Sequence, residues 1–266
     1  MDLGLNGKRA LVTGGSRGIG LAIARQVALE GAAVAIAGRD REALQGAVAK
    51  VKAETGGVAV GVVMDTGVDV SVREGVAAAA SELGGLDILV NAAAKPGGQA
   101  PPPKLAEITD ELFWDDVNVK VLGYLRVARE AAPHMIAGGW GRIINISSLA
   151  ARQTGSTIGS IRNVAVAALT KNLADELAPH GINVNVVHPG LTRTEKTGPL
   201  LEARAASTGQ TVEDVEKRMV GNVLIGRIVE AAEVADVVTF LASPRSVAIN
   251  GDAIACGGGV RGPIHY

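Results

Sequence analysis

A glycine-rich turn between a strand and a helix is the feature that most constrains the fold of this chain. The segment ALVTGGSRGIGLAIA, residues 10–24, begins with the pattern of a strand and ends with that of an apolar helix. Gly14, Gly18 and Gly20 lie where the pattern changes and have a GxxxGxG spacing. Glycines permit a tight turn and let backbone N–H groups approach a phosphate at the positive end of a helix. The segment predicts a dinucleotide-binding βα unit, and the alternative is an ordinary glycine-rich turn.

The rest of the chain repeats this alternation of strand and helix. Short β-branched runs predict strands over residues 9–13, 33–37, 58–63, 87–91, 142–147, 183–188 and 253–255. Ala-rich amphipathic segments predict helices over residues 18–30, 41–54, 72–83, 109–137, 159–179 and 233–242. The pattern indicates an α/β fold, a single Rossmann-type doubly wound parallel sheet of about seven strands flanked by helices.

Composition supports one large core in one domain over residues 1–266. Hydrophobic residues make up 47% of the chain but aromatic residues only 2%, so Ala, Val, Ile and Leu must fill the interior. Such a core suits a parallel sheet that is buried on both faces. Residues 192–226 interrupt the alternation with short polar helices, and we expect a substrate lid inserted there.

Charge and cysteine content exclude several classes of protein. A net charge of −1 gives no reason to expect binding to nucleic acid or to an acidic membrane surface. The single cysteine, Cys256, rules out an internal disulfide framework, and the first residues lack the apolar segment of a secretory signal. No stretch approaches 18 apolar residues. We expect a cytoplasmic protein without a metal site.

Residues 13–20, TGGSRGIG, resemble the fingerprint of the classical short-chain dehydrogenase/reductase family. The resemblance covers essentially the whole chain, because further matching segments follow in the family's order. They are Asp65-Thr66 after the third strand, Asn91-Ala92-Ala93 after the fourth, Asn118 in a long helix, Ser147-Ser148 after the fifth strand and residues 189–194, PGLTRT, after the sixth.

The resemblance implies a bound nicotinamide dinucleotide. By it, Asp65 contacts the adenine, residues 91–93 lie along the cofactor, and Thr192 and Thr194 hold the nicotinamide carboxamide. The expected cofactor-binding residues are Gly14, Ser16, Arg17, Gly18, Ile19, Gly20, Arg39, Asp65, Thr66, Asn91, Ala92, Ala93, Asn163, Pro189, Gly190, Thr192 and Thr194. Most of them follow the carboxyl ends of strands, where open α/β sheets bind ligands.

The end of the second strand indicates which dinucleotide binds. A carboxylate there would accept hydrogen bonds from a ribose 2′-hydroxyl, but the strand ends in Ala37-Gly38-Arg39. Arg39 and Arg17 together suit a 2′-phosphate, which favours NADP(H) over NAD(H). The alternative is that Arg39 is a solvated arginine paired with Asp40, which itself suits the cap of the next helix.

The catalytic positions depart from the family pattern. The family uses a tyrosine, a lysine four residues later, a serine and an asparagine, and Ser148 and Asn118 match the last two. Aligning residues 164–171, VAVAALTK, places Gly159 and Asn163 at the tyrosine and lysine positions, whereas anchoring on the serine gives Ile161 and Ala165. Both registers lack the tyrosine–lysine pair.

This absence does not depend on the alignment. The only tyrosines are Tyr124 and Tyr266, and no lysine lies between Lys120 and Lys171. Tyr124 is expected to pack inside the fold or at a subunit contact, and His188 to be a hydrogen-bonded histidine at a strand end. His265 and Tyr266 end the sequence given, and a role for them would require contact with a neighbouring subunit's site.

Three functions are consistent with the sequence. The first is an NADP(H)-dependent oxidoreductase that acts on a small carbonyl or alcohol through a divergent proton path. The second is a dinucleotide-binding homologue without turnover, a sensor or partner subunit, and the third is a non-redox lyase in the same pocket. The resemblance also implies a homo-oligomer, a tetramer or a dimer, built through the long helices.

Overall fold

The computed structural model describes residues 1–95, 101–260 and 262, so the predictions for His265 and Tyr266 lie outside the described residues. A seven-stranded parallel sheet runs through the centre in the order β3-β2-β1-β4-β5-β6-β9. Its strands are β1 Arg9–Thr13, β2 Ala33–Gly38, β3 Ala59–Val63, β4 Ile88–Asn91, β5 Gly141–Ile146, β6 Ile182–Pro189 and β9 Ala253–Cys256. The predicted fold class is confirmed, and the predicted strand bounds shift by a residue or two.

Helices flank the sheet on both faces. They are α1 Gly18–Leu29, α2 Arg41–Thr55, α3 Asp69–Leu83, α4 Asp110–Val117, α5 Gly123–Gly138, α6 Thr157–Leu177, α7 Thr197–Thr208, α8 Val212–Met219 and α9 Ala231–Leu241. The two faces carry separate apolar clusters. Along β1, Val12 packs into one cluster and Leu11 into the other, as expected where alternate residues of a strand point to opposite faces.

The strand order reverses between β1 and β4, which pair side by side although β2 and β3 separate them in sequence. Thr13 lies in register with Asn91, the last residue of β4, and Asn91 lies in register with Asn145 of β5. The chain segments that leave these strands therefore diverge at one edge of the sheet. In open α/β sheets this reversal is where ligands bind.

The long helix predicted over residues 109–137 is formed without a break, but it is not α-helical throughout. Between α4 and α5, residues Asn118–Leu122 form a π-helical segment, and the chain then resumes α-helical geometry at Gly123. Such segments are rare and occur mostly as single turns, often at functional sites. Hydrophobic periodicity gives no sign of this change, because the local pattern remains that of a helix.

Residues 192–226 lie outside the main sheet and contain a short strand and two helices. The short strand β7, Thr192–Arg193, pairs with β8, Val229–Glu230, and the two helices α7 and α8 lie between them. Leu201, Ala205 and Val215 form a small apolar cluster of their own. None of the helices in the described residues is long and apolar enough to cross a membrane.

An ion pair joins β1 to the start of β4 at the edge opposite the glycine-rich turn. The Arg9 guanidinium donates to both carboxylate oxygens of Asp87 at 2.7 Å, and the Arg9 backbone N–H donates to the same carboxylate at 2.9 Å. Burial of Asp87 opposes its ionisation, but the hydrogen bonds and charge of Arg9 outweigh this effect and lower its pKa.

Replacing Asp87 with alanine should lower the free energy of unfolding by about 1–2 kcal/mol, because Arg9 loses a bidentate partner while staying partly exposed. Since the folded-state pKa of Asp87 is depressed, its contribution is present above the unfolded pKa of about 3.9 and is lost as pH falls through the folded pKa. Urea unfolding at several pH values measures the effect. Asp175→Ala, at an exposed pair with Lys171, is the control, and an equal loss in both variants would contradict the prediction.

Candidate functional site

The turn after β1 is packed too tightly for side chains at two of its glycines. Gly14 has a φ of +64°, and a Cβ there would lie 2.8 Å from the backbone of Ala93. A Cβ on Gly20 would lie 2.3 Å from the Gly14 carbonyl oxygen. The spacing of these glycines thus brings the turn against the end of β4 and the start of α1 against the turn.

The N-terminus of α1 is built to receive a negative charge. Its first turn has no acidic residue, and the N-cap residue Arg17 makes no side-chain capping bond. The Gly18 N–H donates at 3.1 Å to a carboxylate oxygen of Glu195, which comes from the segment between β7 and α7. An anion-binding helix end therefore fits this position, and in this structure a carboxylate occupies it.

Asn91, at the end of β4, leaves one buried acceptor free for a ligand. Its Nδ2 donates to Asn145 Oδ1 at 2.9 Å, whereas its own Oδ1 has no hydrogen-bond partner among the described residues. Thr13 Oγ1 accepts from the backbone N–H groups of Ala92 and Ala93 at 3.1 and 3.3 Å, which fixes the path of the chain beyond β4. A buried unsatisfied oxygen of this kind suits a donor on a bound molecule.

Two exposed arginines border the end of β2. In the described part of the chain, neither Arg17 nor Arg39 forms an ion pair. Asp40 instead caps α2, where one carboxylate oxygen accepts from the N–H groups of Glu42 and Ala43 at 3.1 Å each. The pairing of Arg39 with Asp40 that the sequence left open is therefore not formed.

A cleft of about 460 Å³ lies beside the same turn. Among the residues that line it are Ser16, Arg17, Asp40, Lys50, Glu195 and Lys196. Cationic side chains thus border a space next to the anion-binding helix end; they are Arg17 before α1, Lys50 on α2 and Lys196 before α7.

The end of β3 is joined to the π-helical segment. Asp65 accepts from the Gly67 N–H at 2.9 Å, and Thr66 Oγ1 donates to the Val119 carbonyl at 3.1 Å. Asn118 donates through Nδ2 to the Gly67 carbonyl at 3.1 Å and accepts from Arg126 at 2.8 Å. The side chain of Asn118 therefore holds the π segment against this loop.

The turn after β6 approaches the turn after β1. Thr192 Oγ1 donates to the Gly190 carbonyl at 3.1 Å, and the Thr194 N–H donates to Thr197 Oγ1 at 2.9 Å. A Cβ on Gly18 would lie 3.6 Å from the methyl group of Thr194. Segments that the sequence separates by more than 170 residues thus lie next to each other at the carboxyl edge of the sheet.

Ser148 lies shortly after β5, and Gly159 lies in the first turn of α6. The half-buried Ser148 caps a short 3₁₀ helix, Leu149–Arg152, by accepting from the Ala150 N–H at 3.2 Å. The Gly159 N–H donates to Ser156 Oγ at 3.1 Å, and a Cβ on Gly159 would lie 2.8 Å from that oxygen. Gly159 brings no acid or base to the site.

Asn163 is buried, and both ends of its amide are engaged. Its Nδ2 donates to the Gly159 carbonyl at 2.7 Å. Its Oδ1 accepts from Lys120 Nζ at 2.8 Å and from Ser147 Oγ at 3.1 Å. The amide thus links the first turns of α6 to the end of β5 and to the π segment.

Lys120 is a site residue that the sequence reasoning did not identify. Only 4% of its surface is exposed, and Nζ also donates to the Ser147 carbonyl at 3.2 Å. Burial, together with the charge of Arg162, lowers its pKa to about 7, and the charge of Asp116 partly opposes this shift. A lysine within the apolar run NVKVLGYL, residues 118–125, is the sequence signal that could have predicted its burial.

Four other polar side chains of this region are engaged elsewhere or buried. Tyr124 is fully buried, its hydroxyl donates to the Ile146 carbonyl at 2.9 Å, and burial raises its pKa, so it serves packing. Arg162 pairs with Asp116, Arg152 donates to the Ala253 carbonyl at 2.7 Å, and His188 is buried in β6. Within the described ranges, no cluster of three or more His, Cys, Asp or Glu side chains could hold a metal ion.

Known proteins match this chain over nearly its full length. A family profile described as "Enoyl-(Acyl carrier protein) reductase" matches residues 14–261. The short-chain reductase protein NovJ of Streptomyces niveus is 36% identical over 252 residues, which cover 94% of this chain and 92% of that protein. Dehydrogenase/reductase SDR family member 4 of Oryctolagus cuniculus is 36% identical over 262 residues, 96% of this chain and 94% of that protein.

Solved structures share the fold. L-Sorbose reductase from Gluconobacter frateurii, solved in complex with NADPH and L-sorbose, superposes with a TM-score of 0.93 at 30% identity and covers 99% of this chain and 100% of its own. An NAD⁺-bound xylitol dehydrogenase superposes with a TM-score of 0.85, also at 30% identity, and covers 96% of this chain and 100% of its own.

Proposed function

Because this chain belongs to the short-chain dehydrogenase/reductase family, we propose that it is an NADP(H)-dependent oxidoreductase that interconverts a carbonyl and an alcohol through a divergent proton path. The observation that carries the proposal is the free acceptor of Asn91 beside the tightly packed Gly14 turn, where a dinucleotide would lie. The turn leads into the N-terminus of α1, which has no side-chain cap and therefore suits a pyrophosphate.

We assign the dinucleotide's binding to the residues expected from the sequence other than Asn163, whose buried amide is engaged at both ends by protein groups. Gly14, Gly18 and Gly20 admit the pyrophosphate, and Thr192 and Thr194 hold the nicotinamide end. Arg17 and Arg39, without carboxylate partners in the described residues, suit a 2′-phosphate, which favours NADP(H). The NADPH complex of L-sorbose reductase supports this choice, whereas the NAD⁺-bound xylitol dehydrogenase shows that related chains differ. When bound, the dinucleotide supplies or accepts the hydride.

The proton step is where this chain departs from its relatives. We assign Gly159 and Asn163 to the positions that the family pattern gives to tyrosine and lysine, with Ile161 and Ala165 as the alternative register. The buried amide of Asn163 carries no charge. Loss of a general acid or base commonly costs about 10²–10⁴ in rate. Ser148 can still donate a hydrogen bond to a substrate oxygen. We expect slow turnover, and the alternatives are dinucleotide binding without turnover and a non-redox lyase.

We further propose that residues 192–226, with α7 and α8, cover the substrate as a lid on a single domain. Glu195 lies in this segment and accepts a hydrogen bond from the α1 N-terminus, so the lid reaches the cofactor end of the site.

Exposed apolar residues on α5 and α6, among them Leu125, Ile161 and Val164, suit a homo-oligomeric contact between these helices.

Fluorescence titration should show that NADPH binds more tightly than NADH, and a panel of small ketones and aldehydes should reveal slow NADPH oxidation. Binding without oxidation of any panel member would support the silent homologue, and consumption of a substrate without a change in NADPH would support the lyase. Failure of both dinucleotides to bind at about millimolar concentration would overturn the proposal.

Replacing Arg39 with aspartate should invert the cofactor preference, weakening NADPH by at least about tenfold and strengthening NADH, because a carboxylate repels a 2′-phosphate and accepts from a 2′-hydroxyl. The same titration measures both affinities. Arg245→Asp is the matched control, since this exposed arginine bonds to the Asp2 carbonyl away from the turn. An unchanged preference in Arg39→Asp would refute the role of Arg39.

Replacing Glu195 with glutamine should tighten NADPH binding by about three- to tenfold, because the native carboxylate competes with the cofactor's phosphates for the α1 N-terminus. Glu202→Gln, an exposed change on α7, should leave binding unchanged. Weaker binding in Glu195→Gln would mean that Glu195 assists the cofactor instead of competing with it.

A further inference from the structure

We propose that Lys120 is the charged positioning residue of the active site, holding Ser147 and Asn163 in place and supplying the site's buried positive charge. The inference rests on the proposed function, since it concerns how the charge of the nicotinamide ring affects the affinity of that site for the dinucleotide. It gives a role to a residue of the π-helical segment.

The surroundings of Lys120 do not match those of a lysine kept for stability. Its ammonium is buried and donates to two neutral oxygens, those of Ser147 and Asn163. No ion pair involving it is formed within the described residues, and the nearby carboxylate of Asp116 pairs with Arg162. A buried ammonium without a bonded carboxylate is costly, whereas a methionine of similar length would pack without that cost.

The hydrogen bonds of Lys120 reach two segments of the proposed active site, the residues that follow β5 and the first turns of α6. The Ser147 carbonyl belongs to the peptide that precedes Ser148, so Lys120 fixes the backbone from which the Ser148 hydroxyl projects. Asn163, held by Lys120 through Oδ1, donates in turn to the Gly159 carbonyl. One ammonium therefore ties the end of β5 to the first turns of α6, which makes it a positioning residue.

The charge itself should act on the nicotinamide ring. The ring is cationic in NADP⁺ and neutral in NADPH, so a fixed positive charge nearby weakens binding of the oxidised form selectively. Arg162 on α6 adds positive charge and Asp116 on α4 opposes it. Because burial lowers the pKa of Lys120 to about 7, the ammonium should lose its charge as pH rises past neutrality. The preference for NADPH over NADP⁺ should fall over the same range.

The test is to measure the Kd of NADPH and of NADP⁺ by calorimetry from about pH 6 to about pH 9. Both forms carry the same phosphates, so phosphate titration cancels in the ratio of the two Kd values. In the native chain we expect the ratio Kd(NADP⁺)/Kd(NADPH) to fall by about tenfold across this range. In Lys120→Met the ratio should be independent of pH and equal to the native value at high pH.

Two further variants separate charge from structure. Lys120→Gln keeps a hydrogen-bond donor without the charge, so it should lose the pH dependence as Lys120→Met does; a native profile would show that another group titrates and would contradict the inference. Lys171→Met is the matched control, because Lys171 is an exposed lysine on α6 paired with Asp175, and it should behave as the native chain. Circular dichroism and Tm establish that each variant is folded.

Exchanging the two partners provides an independent check. The double variant Lys120→Asn with Asn163→Lys places an amide and an ammonium at opposite ends of the same contact. It should recover a pH-dependent ratio that the single variant Lys120→Asn lacks, together with any turnover that the single variant loses. A folded double variant without recovery would contradict a role for the charge.

Failure of this inference is distinguishable from failure of the proposed function. If the native chain binds neither dinucleotide, the proposed function fails. If the native chain binds both forms and the Met and Gln variants keep its pH-dependent ratio, the cofactor site stands and the role of Lys120 is overturned.

Discussion

The parallel register of β1, β4 and β5 is the constraint on which the rest of the site depends. It aligns Thr13, Asn91 and Asn145 across three neighbouring strands, and the Asn91–Asn145 hydrogen bond joins two of them through their side chains. Asn145 continues the connection by donating to Thr170 of α6 at 2.9 Å. A slip of one residue would turn these polar groups to the other face of the sheet and break the chain of bonds.

Local patterns were sufficient to predict the sheet and the first turn. Strand length, helix periodicity and glycine spacing are properties of short segments, and Gly14 and Gly20 prove to be positions where a side chain would collide with backbone. The π-helical segment escaped prediction because residues 109–137 keep an ordinary helical pattern throughout. Packing against β5 and α6, which are distant in sequence, decides the geometry there.

In the catalytic region, too, some features could be predicted from the sequence, whereas others depend on contacts between distant residues. That no tyrosine precedes a lysine at the family's spacing could be read by inspecting the sequence, whereas the engagement of Asn163 by Lys120 could not, since 43 residues separate them. The sequence also left open whether Arg39 pairs with Asp40, and the capping bonds of Asp40 answer that question. Contacts between distant segments define what each of these positions can do chemically.

The π-helical segment has a consequence for how this chain tolerates insertions and deletions. Each residue advances an α-helix by about 100° and a π-helix by less, so the five residues Asn118–Leu122 cover about the rotation of four α-helical residues, and deleting one of them would restore α-helical winding with the flanking helices close to their present rotational phase. Lys120 lies inside the segment and Tyr124 follows it on α5, so the deletion would change the contacts of the Lys120 ammonium and leave the buried face that carries Tyr124 in place. The extra residue thus gives the segment its contacts with β5 and α6 without changing the rotational phase between α4 and α5, and its deletion should affect the site more than the packing of the two helices.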